Sequence, residues 1–79
     1  MVFEKLLRII NSIMKKKGEQ ELSAHYLTEN SSLRNDIGFD SLDLAELTVR
    51  IEDEFGIDIF EHGNVDTISE ILKRLGENE

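Results

Sequence analysis

A serine lies between two aspartates in residues 38–44, where a helix is predicted to begin. The first N–H groups of a helix and the positive end of its dipole stabilise an anion by about 0.3–1 kcal/mol. A phosphate attached to Ser41 would therefore be tolerated at this position. Alternatively, Asp40 or Ser41 only caps the helix and Asp43 occupies its first turn. These residues alone leave both interpretations open.

The sequence contains little else that could perform chemistry. A nucleophilic Ser41 would need a base, and His25 and His62 are the only imidazoles in the chain. We expect both to be exposed loop residues, so we predict no catalytic residue. The two histidines lie far apart and the acidic residues lack the spacing of a calcium loop, which predicts no metal site. Since the chain has no cysteine, any thiol that it uses must come from a cofactor.

Charge and length limit the partners and the location of the protein. Nine basic and 17 acidic residues give the 79-residue chain a net charge of −8, which repels nucleic acid and anionic lipid and favours partners with basic patches. No stretch is long and apolar enough to insert into a membrane, and the first residues do not resemble a signal peptide. We expect residues 1–79 to form a single, cytoplasmic, monomeric domain.

Two long stretches have the periodicity of amphipathic helices. Apolar residues recur at helical spacing over residues 2–17, and Gly18 can end this helix. The lysines at residues 15–17 either match the helix dipole or form a binding patch. A second apolar stripe runs through residues 41–55, and Gly56 is expected to follow its last turn. Arg50 in this helix either pairs with a neighbouring glutamate or tunes the choice of partner.

The remaining segments predict shorter elements. Residues 18–40 contain spaced apolar residues that should pin a long loop to the core, and residues 19–27 either form a short helix or prolong the first one. Residues 57–63 predict at most one helical turn. A capping box at residues 67–70 begins a last amphipathic helix. The sequence therefore predicts an all-α fold, a small bundle of three main helices plus a short third helix that is reduced or absent.

The surroundings of the Asp40-Ser41-Leu42 core resemble the acyl carrier protein family. An apolar residue and an aspartate precede the core, a glycine lies two residues before Asp40, and an acidic helix follows that ends in residues 52–55. The resemblance implies that a phosphopantetheinyl transferase attaches 4′-phosphopantetheine from coenzyme A to Ser41. It further implies a carrier that is not an enzyme and that holds acyl groups as thioesters, most simply in fatty acid synthesis of the bacterial type. Specialised lipid, polyketide and peptide pathways remain open.

By the same resemblance, the second helix would bind the transferase and the acyl-transferring and synthase enzymes. Its apolar flank and the acids around it form the predicted partner-binding set of Asp40, Leu42, Asp43, Ala45, Glu46, Val49, Glu52 and Asp53. An alternative from another class is an unmodified helical adaptor that uses this acidic helix only to bind a protein. An esterase-like enzyme built on Ser41 is a third, more remote alternative.

Overall fold

Three α-helices make up the regular structure of the protein. The computed structural model describes residues 2–23, 25–61, 63 and 65–76. The helices are α1 (Val2–Lys16), α2 (Ser41–Phe55) and α3 (Ile68–Gly76), and the described residues contain no strand. The predicted all-α fold is confirmed. None of the helices in the described part of the chain combines the length and apolar character needed to cross a bilayer.

The predicted apolar stripe of α1 faces the core. Its buried side chains are Leu6, Ile10, Ile13 and Met14. The helix ends one residue earlier than predicted, because Lys17 lies in the turn that leads to Gly18, whose positive φ of 80° is readily adopted only by glycine. This turn places the end of the lysine run beside the start of α2.

The long connection between α1 and α2 is pinned to the core, as predicted. The side-chain amide of Asn11 donates to the carbonyl of Leu22 at 2.8 Å and accepts from its N–H at 2.7 Å. Further along, Leu27, Leu33 and Ile37 are buried. The predicted short helix over residues 19–27 is wrong for the described residues, and so is the predicted prolongation of α1. The N–H groups of Tyr26 and Leu27 donate to the carbonyl of Ser23, which makes one turn. The segment is held to the core by side chains rather than by helical backbone hydrogen bonds.

The short third helix is absent from the described part of residues 57–63. The N–H of Glu61 donates to the carbonyl of Asp58 at 3.3 Å, which makes only a turn. The Asp58 carboxylate accepts from the N–H of Phe60 at 2.9 Å and so stabilises the turn, while Ile59 is fully buried and anchors it. Of the two predicted outcomes, reduced or absent, the described residues of this segment show the second.

The last helix begins with the predicted capping box. The N–H of Glu70 donates to the hydroxyl of Thr67 at 3.3 Å, and the N–H of Thr67 donates to the Glu70 carboxylate at 3.1 Å. An isolated antiparallel bridge between Ser32 and Thr67 ties this start to the long connection. All three helices contribute side chains to one buried apolar cluster, and the contribution of α2 is Leu44, Leu47 and Ile51.

Candidate functional site

Ser41 is the first residue of α2, and its side chain is exposed. Asp40 precedes it as the N-cap, in an extended conformation with φ −95° and ψ −173°. No hydrogen bond joins the Ser41 hydroxyl to any other described residue. The oxygen is therefore accessible at the tip of a helix, as the sequence predicted.

The hydroxyl is free because its neighbours close the helix end. The Asp40 carboxylate accepts the N–H of Asp43 at 2.9 Å, and the Asp43 carboxylate accepts the N–H of Asp40 at 3.1 Å. This reciprocal pair is a complete capping box. Of the two residues proposed as the cap, Asp40 is the one that caps the helix. Capping therefore leaves the Ser41 hydroxyl accessible, and the two interpretations of this sequence are compatible.

Lys17 holds this capping box against the end of α1. Its ammonium donates to the Asp43 carboxylate at 2.6 Å and to the carbonyl of Gly38 at 3.5 Å, and it lies 5.6 Å from the centre of the Phe39 ring. The hydrogen bond to Asp43 raises the pKa of Lys17. Burial by itself would raise the pKa of Asp43, but hydrogen bonds from Lys17 and the Asp40 backbone outweigh it and the pKa is lowered.

Asp43, which the sequence analysis places in the partner-binding set, is largely covered by its own chain. The residue is only 8% exposed. Its carboxylate is turned toward the Asp40 N–H and Lys17, because the N3 position of a capping box points back toward the helix start. Asp43 therefore stabilises the start of α2 from within the protein.

Glu46 is also engaged within the chain. It is half-buried, and its carboxylate accepts from Arg50 at 2.8 Å and from Lys16 at 3.4 Å. The hydrogen bond from Arg50 is the main cause that lowers the pKa of Glu46. The predicted pairing of Arg50 with a neighbouring glutamate is thus confirmed. Lys16 and Lys17 of the lysine run contact the carboxylates of Glu46 and Asp43 in α2. Neither of the two interpretations of this run predicted these contacts.

The other predicted partner-binding residues lie on the surface. Leu42 is 80% exposed and Val49 is 66% exposed, which is unusual for large apolar side chains. The remaining exposed members of the set are Asp40, Ala45, Glu52 and Asp53. The face is an apolar strip bordered by three carboxylates.

A groove of about 420 Å³ opens beside Ser41. It is lined by Arg34, Ser41, Leu44, Ala45, Thr48, Asp58 and Phe60. Its mixture of apolar surface and rim charges suits a flexible amphipathic arm attached at Ser41, so the residues present fit a phosphopantetheine group.

Other site chemistry finds no support among the described residues. His25 is exposed and makes no contact with Ser41, and His62 lies outside the described residues. Residues 2–23, 25–61, 63 and 65–76 contain no group of three or more His, Asp or Glu side chains placed to hold a metal ion.

Sequence reasoning missed Lys17 and Arg34. The lysine run was noticed, but no periodic signal connects residue 17 with a carboxylate 26 positions later. Arg34 stands seven residues before Ser41 in an irregular segment, where no helical or strand spacing relates the two. The positive charge of Arg34 between two uncharged residues, Leu33 and Asn35, is the feature of the local sequence that could have drawn attention to it.

One comparison with known proteins bears on this site. The family model described as "Phosphopantetheine attachment site" matches residues 4–75 of the chain. The matched range includes α2 with Ser41, most of α1 and nearly all of α3.

Proposed function

The chain belongs to the phosphopantetheine-binding family of acyl carrier proteins, and we propose that Ser41 is the residue that carries its 4′-phosphopantetheine. The observation that supports this most is the exposed hydroxyl at the first position of α2, which has no hydrogen-bond partner among the described residues. By contrast, the hydroxyls of Ser31 and Ser32 belong to buried residues and are engaged in hydrogen bonds.

Attachment requires one displacement at phosphorus. The Ser41 oxygen attacks the phosphorus that bears pantetheine in coenzyme A, and an O–P bond forms as the phosphoanhydride bond breaks. Adenosine 3′,5′-bisphosphate leaves, and a base of the transferase accepts the hydroxyl proton. This chain positions the hydroxyl but provides no base, because no described side chain forms a hydrogen bond with the hydroxyl and the Asp40 carboxylate accepts the N–H of Asp43.

When bound, the arm supplies a terminal thiol that can hold an acyl group as a thioester. The chain itself contains no cysteine, so the arm accounts for a nucleophile that the polypeptide lacks. We place the carrier in fatty acid synthesis or a related lipid or polyketide pathway, where acyl groups pass between enzymes. The carrier is not an enzyme in this role.

Partners would dock on the exposed face of α2. Leu42, Ala45 and Val49 offer a small dry contact, and Asp40, Glu52 and Asp53 border it with negative charge. The transferase and the acyl-transferring enzymes are expected to present a basic patch with an apolar centre. Since exposed ion pairs contribute only about 0–1 kcal/mol each, they steer encounter more than they prolong it.

Intact-mass spectrometry tests the proposal directly. The purified chain is incubated with coenzyme A and a broad-specificity phosphopantetheinyl transferase, and a gain of one phosphopantetheine mass is expected. Ser41→Ala should gain nothing, whereas Ser69→Ala, which removes an exposed hydroxyl from the first turn of α3, should be modified like the parent.

An unmodified parent chain would contradict the carrier assignment and favour the adaptor. Equal modification of Ser41→Ala would contradict the assignment of the arm to Ser41. Ester hydrolysis by the purified chain would contradict it in favour of an enzyme.

A further inference from the structure

Among the described residues that line the groove beside Ser41, Arg34 is the one cation. Its side chain is exposed, and its guanidinium makes no ion pair or hydrogen bond with the described residues. Its backbone is held in place: the N–H of Leu33 donates to the carbonyl of Asp66 at 2.7 Å, and the N–H of Arg34 donates to the Asp66 carboxylate at 3.4 Å. An unpaired arginine on an anchored backbone is therefore present where the arm would begin.

Negative charge already occupies the start of α2. Asp40 and Asp43 both lie there, and the N–H of Asp43 is taken by the Asp40 carboxylate. A third anion at Ser41 would gain less from the helix dipole than it would at an uncapped helix, and it would be repelled by Asp40. Lys17 does not offset this, because its ammonium is bound to Asp43 at 2.6 Å. On the α1 side, Lys16 and Lys17 are both paired with carboxylates of α2.

We propose that Arg34 binds the phosphodiester that links the arm to Ser41, which rests on the proposed function of that serine. The guanidinium suits this role because it offers paired N–H donors to phosphate oxygens. The phosphodiester is the favoured anion because it is bonded directly to the Ser41 oxygen, and Ser41 lines the same groove as Arg34. Any charge on the cargo would lie at the far end of a flexible arm. Asp58, the other charged residue of the groove, uses one carboxylate oxygen on the N–H of Phe60.

The test compares the unmodified and modified forms of four chains: the parent, Arg34→Gln, Arg34→Lys and Arg8→Gln. Arg8 is a matched control, since it is exposed and lines a separate cleft on α1 and α2 that does not include Ser41. Modification by coenzyme A and the transferase is first verified by intact mass. The NMR signal of each arginine Nε–Hε group and the phosphorus chemical shift of the phosphodiester are then recorded, together with thermal unfolding.

Modification of the parent is expected to shift the Arg34 Nε–Hε signal and leave the Arg8 signal unchanged. The difference in Tm between modified and unmodified forms should be lower by about 2–4 °C in Arg34→Gln than in the parent. Arg34→Lys should retain part of the Tm difference between the two forms, and Arg8→Gln should retain all of it. Added salt should reduce the Tm difference in the parent.

The inference is overturned if the Arg34 signal stays in place on modification of the parent chain. This measurement needs no variant, so it also decides the matter if Arg34→Gln does not fold. An unmodified parent would instead overturn the function proposed for Ser41, and the two failures are separated by the mass measurement that comes first.

Discussion

The starts of α2 and α3 use the same hydrogen-bond arrangement with different supporting contacts. In α2 the capping box joins Asp40 to Asp43, and in α3 it joins Thr67 to Glu70. The Asp43 carboxylate additionally accepts from Lys17 and is nearly buried, whereas the Glu70 carboxylate accepts from Asp66 and Thr67. The local motif is the same, but the supporting contacts differ. The start of α2 has an ion pair from the turn that follows α1, whereas the start of α3 has backbone hydrogen bonds with the long connection.

The first helical residue differs more sharply between the two starts. Ser41 in α2 is exposed, while Ile68 in α3 is fully buried and its N–H donates to the carbonyl of Ser31 at 3.2 Å. Because the residue before each helix provides the cap, the first residue itself is free for another use. Packing decides whether that use is the core or a reactive surface.

The largest expected effect is a stability difference between these two first residues. Ile68→Ala should lower the free energy of unfolding by about 2–5 kcal/mol, because it leaves a cavity in the core. Ser41→Ala should change it by no more than about 0.5 kcal/mol, since the side chain is exposed and takes no part in the cap. Urea unfolding of both variants measures this. Similar losses in the two variants would show that Ser41 has a structural role.

The next effect separates the two capping boxes. Asp43→Asn should lower the free energy of unfolding by about 1–2 kcal/mol, because the amide keeps an acceptor for the cap but loses the ion pair with Lys17. Glu70→Gln should have a smaller effect, since glutamine also completes a capping box and no cation contacts Glu70 in the described residues. The same unfolding measurement applies. Equal losses would mean that Lys17 adds nothing to the start of α2.

Acid should reveal the contribution of Asp43 to stability. The pKa of Asp43 is lowered in the folded chain, so its contribution is fully present above its ordinary value of 3.8 and is lost as pH falls through the lowered value. The pKa of Lys17 is raised, so its contribution is present below the ordinary 10.5 and is lost as pH rises through the raised value. Unfolding between pH 2 and pH 7 should therefore show less acid sensitivity in Asp43→Asn than in the parent. Parallel curves would contradict the shift at Asp43.

The smallest effect on stability is expected at the second residue of each helix. Leu42 and Ser69 are both exposed, so Leu42→Ala and Ser69→Ala should unfold within about 0.5 kcal/mol of the parent. Only Leu42→Ala should lower kcat/KM for modification by the transferase, by roughly three- to tenfold, because it removes apolar contact from the docking face. Equal rates for the two variants would exclude Leu42 from that face.

Features that depend on residues close together in the chain were predictable. The helical stripes, the end of α2 at Gly56, the capping box of α3 and the pairing of Arg50 with Glu46 all involve residues within about one or two turns of each other. The place of Ser41 at the start of α2 was predictable in the same way. The predicted helix over residues 19–27 failed because Asn11, from another element, holds the backbone of Leu22.

The residue types and their local spacing were enough to establish three amphipathic helices, an acidic surface and a serine at a helix start, because backbone hydrogen bonding and side-chain periodicity act over a few residues. The roles of Lys17, Asp43 and Arg34 depended on packing, since each contact or shared groove joins segments separated in the chain. The electrostatic surroundings of Ser41 arise from those segments meeting, since Lys17 and Arg34 both lie outside α2.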